Sequence, residues 1–330
     1  MLHILLSHRD SYRDVIEHLQ RNGAQAIFIG PEKVANGIRS KKDILKAMLS
    51  PALLRARGKW TACDSVLIIG WQSIPILAMI RAGVLPRPKK ILVMGCFIHG
   101  QRARRIVNRV WRWLRFPGMG FIVFSQGEAR NLIDDVGIDP ASVHFHLWRQ
   151  VLDGKTDAAA IADEGYIFSG GFSNRDYDLL LHATRDIATP LCIVASAHNQ
   201  IDASGHPHLT IHRDLKEQDF ETLLAKCRVV AMPLKSQGEA CGQSVLLRVL
   251  RNGKPLIATR HEAIEAYLGH DYPGFVPHGD IDAMRRALER ALHDDTFRVM
   301  LGQQILNIGL RMEGSSSSGE EIEQLLLSDN

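Results

Sequence analysis

Gly238-Glu-Ala-Cys-Gly-Gln-Ser-Val-Leu-Leu-Arg-Val-Leu-Arg-Asn-Gly-Lys-Pro-Leu-Ile-Ala-Thr-Arg260 reads as a loop, a helix and a strand in succession. The short polar loop is flanked by glycines and carries one carboxylate, Glu239. Val245, Leu246, Val249 and Leu250 follow at helical spacing. Asn252-Gly253 ends the helix, because glycine tolerates the left-handed backbone that a helix terminus asks for. Lys254-Pro255 then leads into Leu256-Ile257-Ala258-Thr259, a short apolar strand. The loop lies at the helix N-terminus, where amides without intrahelical carbonyls and a partial positive charge attract an anion. The stretch predicts a phosphorylated ligand.

Upstream, Ser169-Gly170-Gly171 closes another strand candidate, and Arg175 precedes a helix whose core side is Leu179 to Ala183. Glycines let a ligand approach the backbone, and the Arg175 guanidinium can grip phosphate oxygens through two N–H groups. The GxGxxG dinucleotide fingerprint is absent, so an ordinary strand-end turn fits the glycines equally. Lys235, in Pro233-Leu234-Lys235, offers a second cation, although a solvated loop lysine would look the same. Glu239 also suits a plain structural role, since an acid at a helix N-terminus is favourable.

Strands are predicted at 2–6, 24–29, 65–70, 90–94 and 120–124, then at 166–169, 190–195, 208–211, 229–232, 256–259 and 274–276. Helix-length segments separate them, among them 12–21 and 280–293, where Ile281, Met284, Leu288 and Leu292 recur at 3–4 spacing. This alternation indicates an α/β protein with parallel, doubly wound sheets. Ligands bind such sheets at the carboxyl ends of strands, where Gly95-Cys-Phe-Ile-His-Gly100, with His99, and Ser125-Gln-Gly-Glu128 would lie. A chain of 330 residues suits two domains, here 1–155 and 156–310, with a flexible link and last helix over 311–330. The link is Met312-Glu-Gly-Ser-Ser-Ser-Ser-Gly319 and the helix 320–327. No repeat recurs at a fixed period.

The net charge of +4 conceals a division. Residues 1–155 carry 24 Lys and Arg against 11 Asp and Glu, a formal +13; residues 156–330 carry 16 against 25, or −9. A basic and an acidic half imply different neighbours. No signal pattern opens the chain, and the longest apolar stretch, 74–84, is broken by Pro75 and Arg81 and falls short of the roughly 20 residues of a membrane span. Cys63, Cys96, Cys192, Cys227 and Cys241 are odd in number and far apart, which suggests reduced thiols in a cytoplasmic protein and no zinc spacing.

Residues 102–116 (RARRIVNRVWRWLRF) place Ile106, Val107, Val110, Trp111, Trp113 and Leu114 on one helical arc. Arg102, Arg104, Arg105, Arg109, Arg112 and Arg115 fill the other, with no acid among them. A surface helix packed on its own core accounts for this pattern. So does a helix that meets an anionic membrane surface. Nucleic acid is disfavoured, since no aromatic–glycine recognition motif accompanies the arginines. His212-Arg213-Asp214-Leu215-Lys216 imitates the protein-kinase catalytic loop, but Asp219 stands where its asparagine belongs and no Asp-Phe-Gly follows.

Taken together, residues 118–310 resemble the retaining glycosyltransferases of the GT-B fold, family 4 type. Phe124-Ser125, Leu132, Val136-Gly-Ile138 and Val143 look like the exit segment of the first domain. Ser169-Gly-Gly-Phe-Ser-Asn-Arg-Asp-Tyr-Asp178 is similar to the donor-phosphate loop. Pro233-Leu-Lys-Ser-Gln-Gly-Glu-Ala-Cys-Gly242 with Gly253-Lys-Pro255 matches the signature region, and Tyr267-Leu268 with Gly274-Phe-Val-Pro-His-Gly-Asp280 the closing element. The resemblance implies two Rossmann-like domains facing a cleft, the first for the acceptor and the second for a nucleotide-sugar donor. By it Arg175 and Lys235 neutralise the departing diphosphate, and Glu239 contacts the donor sugar. Gly170, Gly171, Gly242, Gln243 and Ser244 present backbone to sugar and phosphate, Arg213 lies near the base, and His99 corresponds to the first-domain histidine that faces the sugar. It implies neither a metal nor another cofactor.

Two positions depart from the family pattern. Leu247 stands where a second glutamate commonly holds the ribose, and Leu6-Ser7-His8-Arg9-Asp10 replaces a glycine loop after the first strand. The expected activity is transfer, with retention, to a glycan or lipid-linked acceptor in cell-surface polysaccharide synthesis, at the inner face of the plasma membrane. The alternatives are a GT-B binding or scaffold protein that has lost catalysis, and a nucleotide-sugar epimerase on the same fold.

Overall fold

The apolar runs form strands and the amphipathic segments helices in two separate compact units. One lies within Met1–Gln150 and Ser316–Asn330, the other within Val151–Ser315. The computed structural model describes residues 1–6, 12–28, 58, 61–62, 64–70, 73–95, 101–149, 163–235, 241–313 and 317–328, with backbone alone at 101–104, 106 and 107.

In the first unit β1 (Leu2–Leu6), β2 (Gln25–Phe28), β3 (Ser65–Ile69), β4 (Lys90–Met94), β5 (Met119–Val123) and β6 (Val143–Phe145) form one sheet in the order β2-β1-β3-β4-β5-β6. Every pairing is parallel. Strands covered on both faces need apolar residues throughout, and Val66 to Ile69 and Ile91 to Met94 are each 3% exposed or less. β6 escapes the sequence reading because it is three residues long and only half-buried. Helices α1 (Arg13–Arg21), α2 (Ser73–Arg81), α3 (Gln101–Leu114) and α4 (Gln126–Arg130) connect the strands. α3 corrects one expectation: Trp111 and Leu114 are buried, but Trp113 is 55% exposed. Two residues on from Trp111 is about 200° round a helix, so Trp113 leaves the core face. The Arg81 guanidinium lies 5.3 Å over its ring, and Arg105, Arg109 and Arg112 are exposed beside it.

The second unit contains β7 (Ile167–Gly170), β8 (Leu191–Ala195), β9 (Leu209–Arg213), β10 (Val229–Met232), β11 (Leu256–Thr259) and β12 (Phe275–Val276). Their order is β12-β11-β10-β7-β8-β9, again wholly parallel. Helices α5 (Tyr177–Thr184), α6 (Glu217–Lys226), α7 (Gln243–Arg251), α8 (Glu262–Leu268), α9 (Ile281–His293) and α10 (Asp295–Glu313) flank the sheet. α10 has no counterpart in the sequence reading, although Phe297, Leu301, Ile305 and Ile308 form its buried stripe. It packs on α7 and α9, and its last turn takes in Met312 and Glu313 of the expected link. Among the described residues no helix is long and apolar enough to cross a membrane.

The last helix, α11 (Ser318–Leu327), begins at Ser317 with a capping box closed by Glu320 and packs on α1 in the first unit. His18 Nε2 lies 2.8 Å from Glu323 Oε2, and Asn22 Nδ2 donates to the same carboxylate. Gly319 permits this approach, since a Cβ there would lie 2.5 Å from the Cβ of His18. Helix propensity alone favours alanine over glycine by about 1 kcal/mol. Steric overlap with α1 reverses the sign, so Gly319→Ala lowers stability by about 1–3 kcal/mol in urea unfolding.

Candidate functional site

In the second sheet β7 and β10 are neighbours, but the chain leaves them in opposite directions, from β7 towards β8 and from β10 towards β11. Such a switch in strand order opens a crevice at the carboxyl ends, the usual ligand position in an open parallel sheet. Both predicted loops start there. They also join: Arg175 and Leu234 form an antiparallel bridge, with Lys235 N donating to Asn174 O at 3.2 Å and Asp176 N to Pro233 O at 3.1 Å.

The turn after β7 is shaped by a buried cation. Arg175 is 5% exposed; its Nε donates to Gly170 O at 2.9 Å and one terminal nitrogen to Ser173 O at 3.0 Å. Gly171 has φ +127°, and a Cβ there would lie 2.4–2.6 Å from three guanidinium atoms, so the guanidinium plane faces the bare Cα. Only glycine fits. Burial pulls the Arg175 pKa down, with Tyr177 and Cys241 acting the other way. Tyr177 supports the turn from beneath, its hydroxyl donating to Gly171 O at 2.7 Å. Asp176 caps α5 by accepting from Leu179 N at 3.2 Å.

The loop after β10 delivers the start of α7. Gly242 is its N-cap at φ +82°, and a side chain there would meet Ile264 at 3.0 Å and the Met232 sulfur at 3.2 Å. Gln243 is buried and Ser244 exposed. Lys235 is 52% exposed, with Nζ 3.7 Å from Asp178 Oδ2, an exposed pair weak enough to exchange partners. Leu234 N donates to the buried Thr259 hydroxyl at 3.1 Å, and His278 Nε2 contacts Lys235 O. Gly170, Gly171, Arg175, Lys235, Gly242, Gln243 and Ser244 therefore occur in the two segments that follow the carboxyl ends of the central strands β7 and β10. Arg213, at the end of β9, donates to Ser196 O at 2.8 Å and Asn199 O at 2.9 Å and so ties down the loop after β8. Glu239 and His99 fall outside the described residues. Among the described residues no group of three or more His, Cys, Asp or Glu side chains is arranged to hold a metal ion.

Sequence reasoning overlooked Asn174, Tyr177, Cys241, Thr259 and His261. Asn174 Nδ2 donates to Cys241 Sγ at 2.9 Å, and His261 Nε2 lies 3.5 Å from that sulfur. Position was the available signal, since each of these residues sits in or beside a strand-end loop at the switch.

Residues 164–294 match the family model described as Glycosyl transferases group 1. No curated protein matches the chain. Among solved structures, a glycosyltransferase from Rickettsia africae ESF-5 shares 13% identity over 100% of this chain and 99% of its own, with a TM-score of 0.63. A trehalose-6-phosphate protein from E. coli bound with UDP-2-fluoro glucose shares 10% over 99% of each chain, at 0.67. An α,α-trehalose-phosphate synthase (UDP-forming) from Burkholderia vietnamiensis shares 12% over 98% of this chain and 99% of its own, also at 0.67. The fold is that of the GT-B glycosyltransferases: two parallel six-stranded sheets with flanking helices.

Burial pushes the Tyr177 hydroxyl up to about 12, against the pull of Arg175. Tyr177→Phe removes the bond to Gly171 and costs about 1–2 kcal/mol in denaturant unfolding at pH 8. An acid whose folded pKa is raised stabilises fully below its unfolded value, near 10, and loses that contribution as pH climbs to the folded value. The stability gap between the two proteins accordingly narrows between pH 10 and about 12.

Proposed function

We propose that the chain is a glycosyltransferase that takes a sugar from a nucleotide-diphosphate donor held by the second unit. One observation carries the reading: within the segment matching Glycosyl transferases group 1, the glycine turn over Arg175 and the N-terminus of α7 share one switch point. Breaking the bond from sugar C1 to the diphosphate leaves the electron pair on the phosphate oxygen. The amides of Gly242, Gln243 and Ser244, the α7 dipole and the exposed Lys235 ammonium would meet that charge in place of a metal ion. Arg175, with Nε and one terminal nitrogen bound to its own turn, would contribute a fixed positive field beneath the phosphates and a pre-formed loop. Arg213 would act on the base side by holding the loop at 196–199. By the family resemblance Glu239 contacts the donor sugar, His99 corresponds to the histidine that faces it, and transfer proceeds with retention to a glycan or lipid-linked acceptor in polysaccharide synthesis.

A cytoplasmic location at the inner membrane face is supported by the exposed Arg105, Arg109, Arg112 and Trp113 of α3. Flotation with anionic phospholipid vesicles tests it. Changing those three arginines to serine together lowers the bound fraction, each arginine being worth about 1 kcal/mol near such a surface, and unchanged flotation refutes the contact.

For the chemistry, the assay is sugar release from a panel of nucleotide sugars with and without glycan acceptors. Glu239→Gln and Lys235→Ala each reduce turnover about 100-fold, the size of loss seen for one transition-state contact, while the melting temperature stays put. Near-normal turnover in both variants would sink the assignment. Epimerised sugar released without acceptor would favour an epimerase.

A further inference from the structure

Three loops leave the carboxyl ends of β7, β10 and β11, and Asn174, Cys241 and His261 bind them together at one sulfur. The state of His261 follows from its other nitrogen. Ala263 N donates to Nδ1 at 3.1 Å, so Nδ1 is the acceptor and the ring proton of the neutral imidazole is on Nε2. That N–H lies within bonding range of Cys241 Sγ, at 3.5 Å. From the opposite loop Asn174 Nδ2 donates to the same sulfur at 2.9 Å. Asn174 is held at φ 54°, a left-handed conformation that asparagine tolerates better than most residues. Cys241 is 4% exposed and His261 fully buried.

The location gives the cluster its meaning. Cys241 immediately precedes Gly242, the N-cap of α7, and follows Glu239 by two residues. A cysteine needed only as a small apolar filler requires no N–H donors at its sulfur. Two donors from two neighbouring loops instead fix where the backbone enters α7. We propose that Cys241, held by Asn174 and His261, is a positioning residue that aims the first amides of α7. This rests on the donor-site reading above, which makes those amides the ligands of the diphosphate.

The two functions of His261 can be separated. His261→Asn keeps an acceptor for Ala263 N but is too short to reach the sulfur. His261→Gln reaches the sulfur with its amide nitrogen but gives up the cap. In the full-length protein without ligand, amide hydrogen exchange over Gly242 to Leu246 quickens about tenfold in the Asn variant and little in the Gln variant. Binding of UDP, GDP and ADP by calorimetry follows the same order, weakening about tenfold in the Asn variant alone. The Gln variant, lacking the cap, shows the larger fall in melting temperature. Cys241→Ser, which retains an acceptor, stays closer to wild type in both readouts than Cys241→Ala.

Equal exchange in the Asn and Gln variants, or losses that simply track melting temperature, would overturn the proposal. If wild-type protein binds none of the three nucleotides, the donor-site reading fails, and the exchange rates still decide whether the sulfur aims the helix.

Discussion

A guanidinium packed face-on against a bare Cα underlies the architecture of the second unit. Arg175 holds Gly170 and Ser173 by their carbonyls, and Gly171 must be glycine because the cation occupies the space of a side chain. The turn then lies close enough to the β10 loop for the two to bridge. That bridge carries Lys235 past Asn174, and Asn174 in turn reaches the residue before the α7 cap. A buried cation is costly unless its donors are used. Here Nε and one terminal nitrogen are bound to carbonyls of the loop itself, which makes Arg175 the structural centre of this turn.

Much of this was legible because parallel strands buried on both faces announce themselves as unbroken apolar runs. β7, β8, β10 and β11 are such runs, wholly buried, whereas β9 and β12, also expected, are only partly buried. Failures came where a local pattern does not decide burial. Trp113 shares an arc with Val110 on a helical wheel, yet the buried side chains of α3 include Asn108, Trp111 and Leu114, and the exposed indole lies under Arg81. α10 has a clean stripe, but Asp294-Asp295 follows so closely on α9 that one helix conceals the start of the next. The cluster of Asn174, Cys241 and His261 was illegible for another reason. Its members are 67 and 20 residues apart in sequence and meet only because the strand order brings three loop ends together.

Leu247 gains a physical account. The family resemblance places an acid at this position, but the leucine is 6% exposed on a helix whose neighbours Leu246, Val249 and Leu250 are buried almost completely. α7 packs against α6, α8 and α10; Arg248 and Arg251 pair with Glu217 and Glu221 of α6, whereas Leu247 lies with the buried Leu246 and Leu250. A carboxylate there would need its own partners to offset desolvation. The residue is part of the helix packing.

The return of α11 to α1 governs the order in which the molecule can be completed. The contact from His18 to Glu323 spans 305 residues, with the whole second unit between its ends. A growing chain emerges from the ribosome in sequence, and domains fold as units as they appear. All strands of the second sheet, and the helices through Glu313, are synthesised before Ser318 to Leu327 can cover α1. The first unit, although it starts first, is therefore finished last. Until then α1 exposes the face that α11 covers, and a translational stall or a truncation after residue 313 leaves the basic half of the protein, not the acidic half, incomplete.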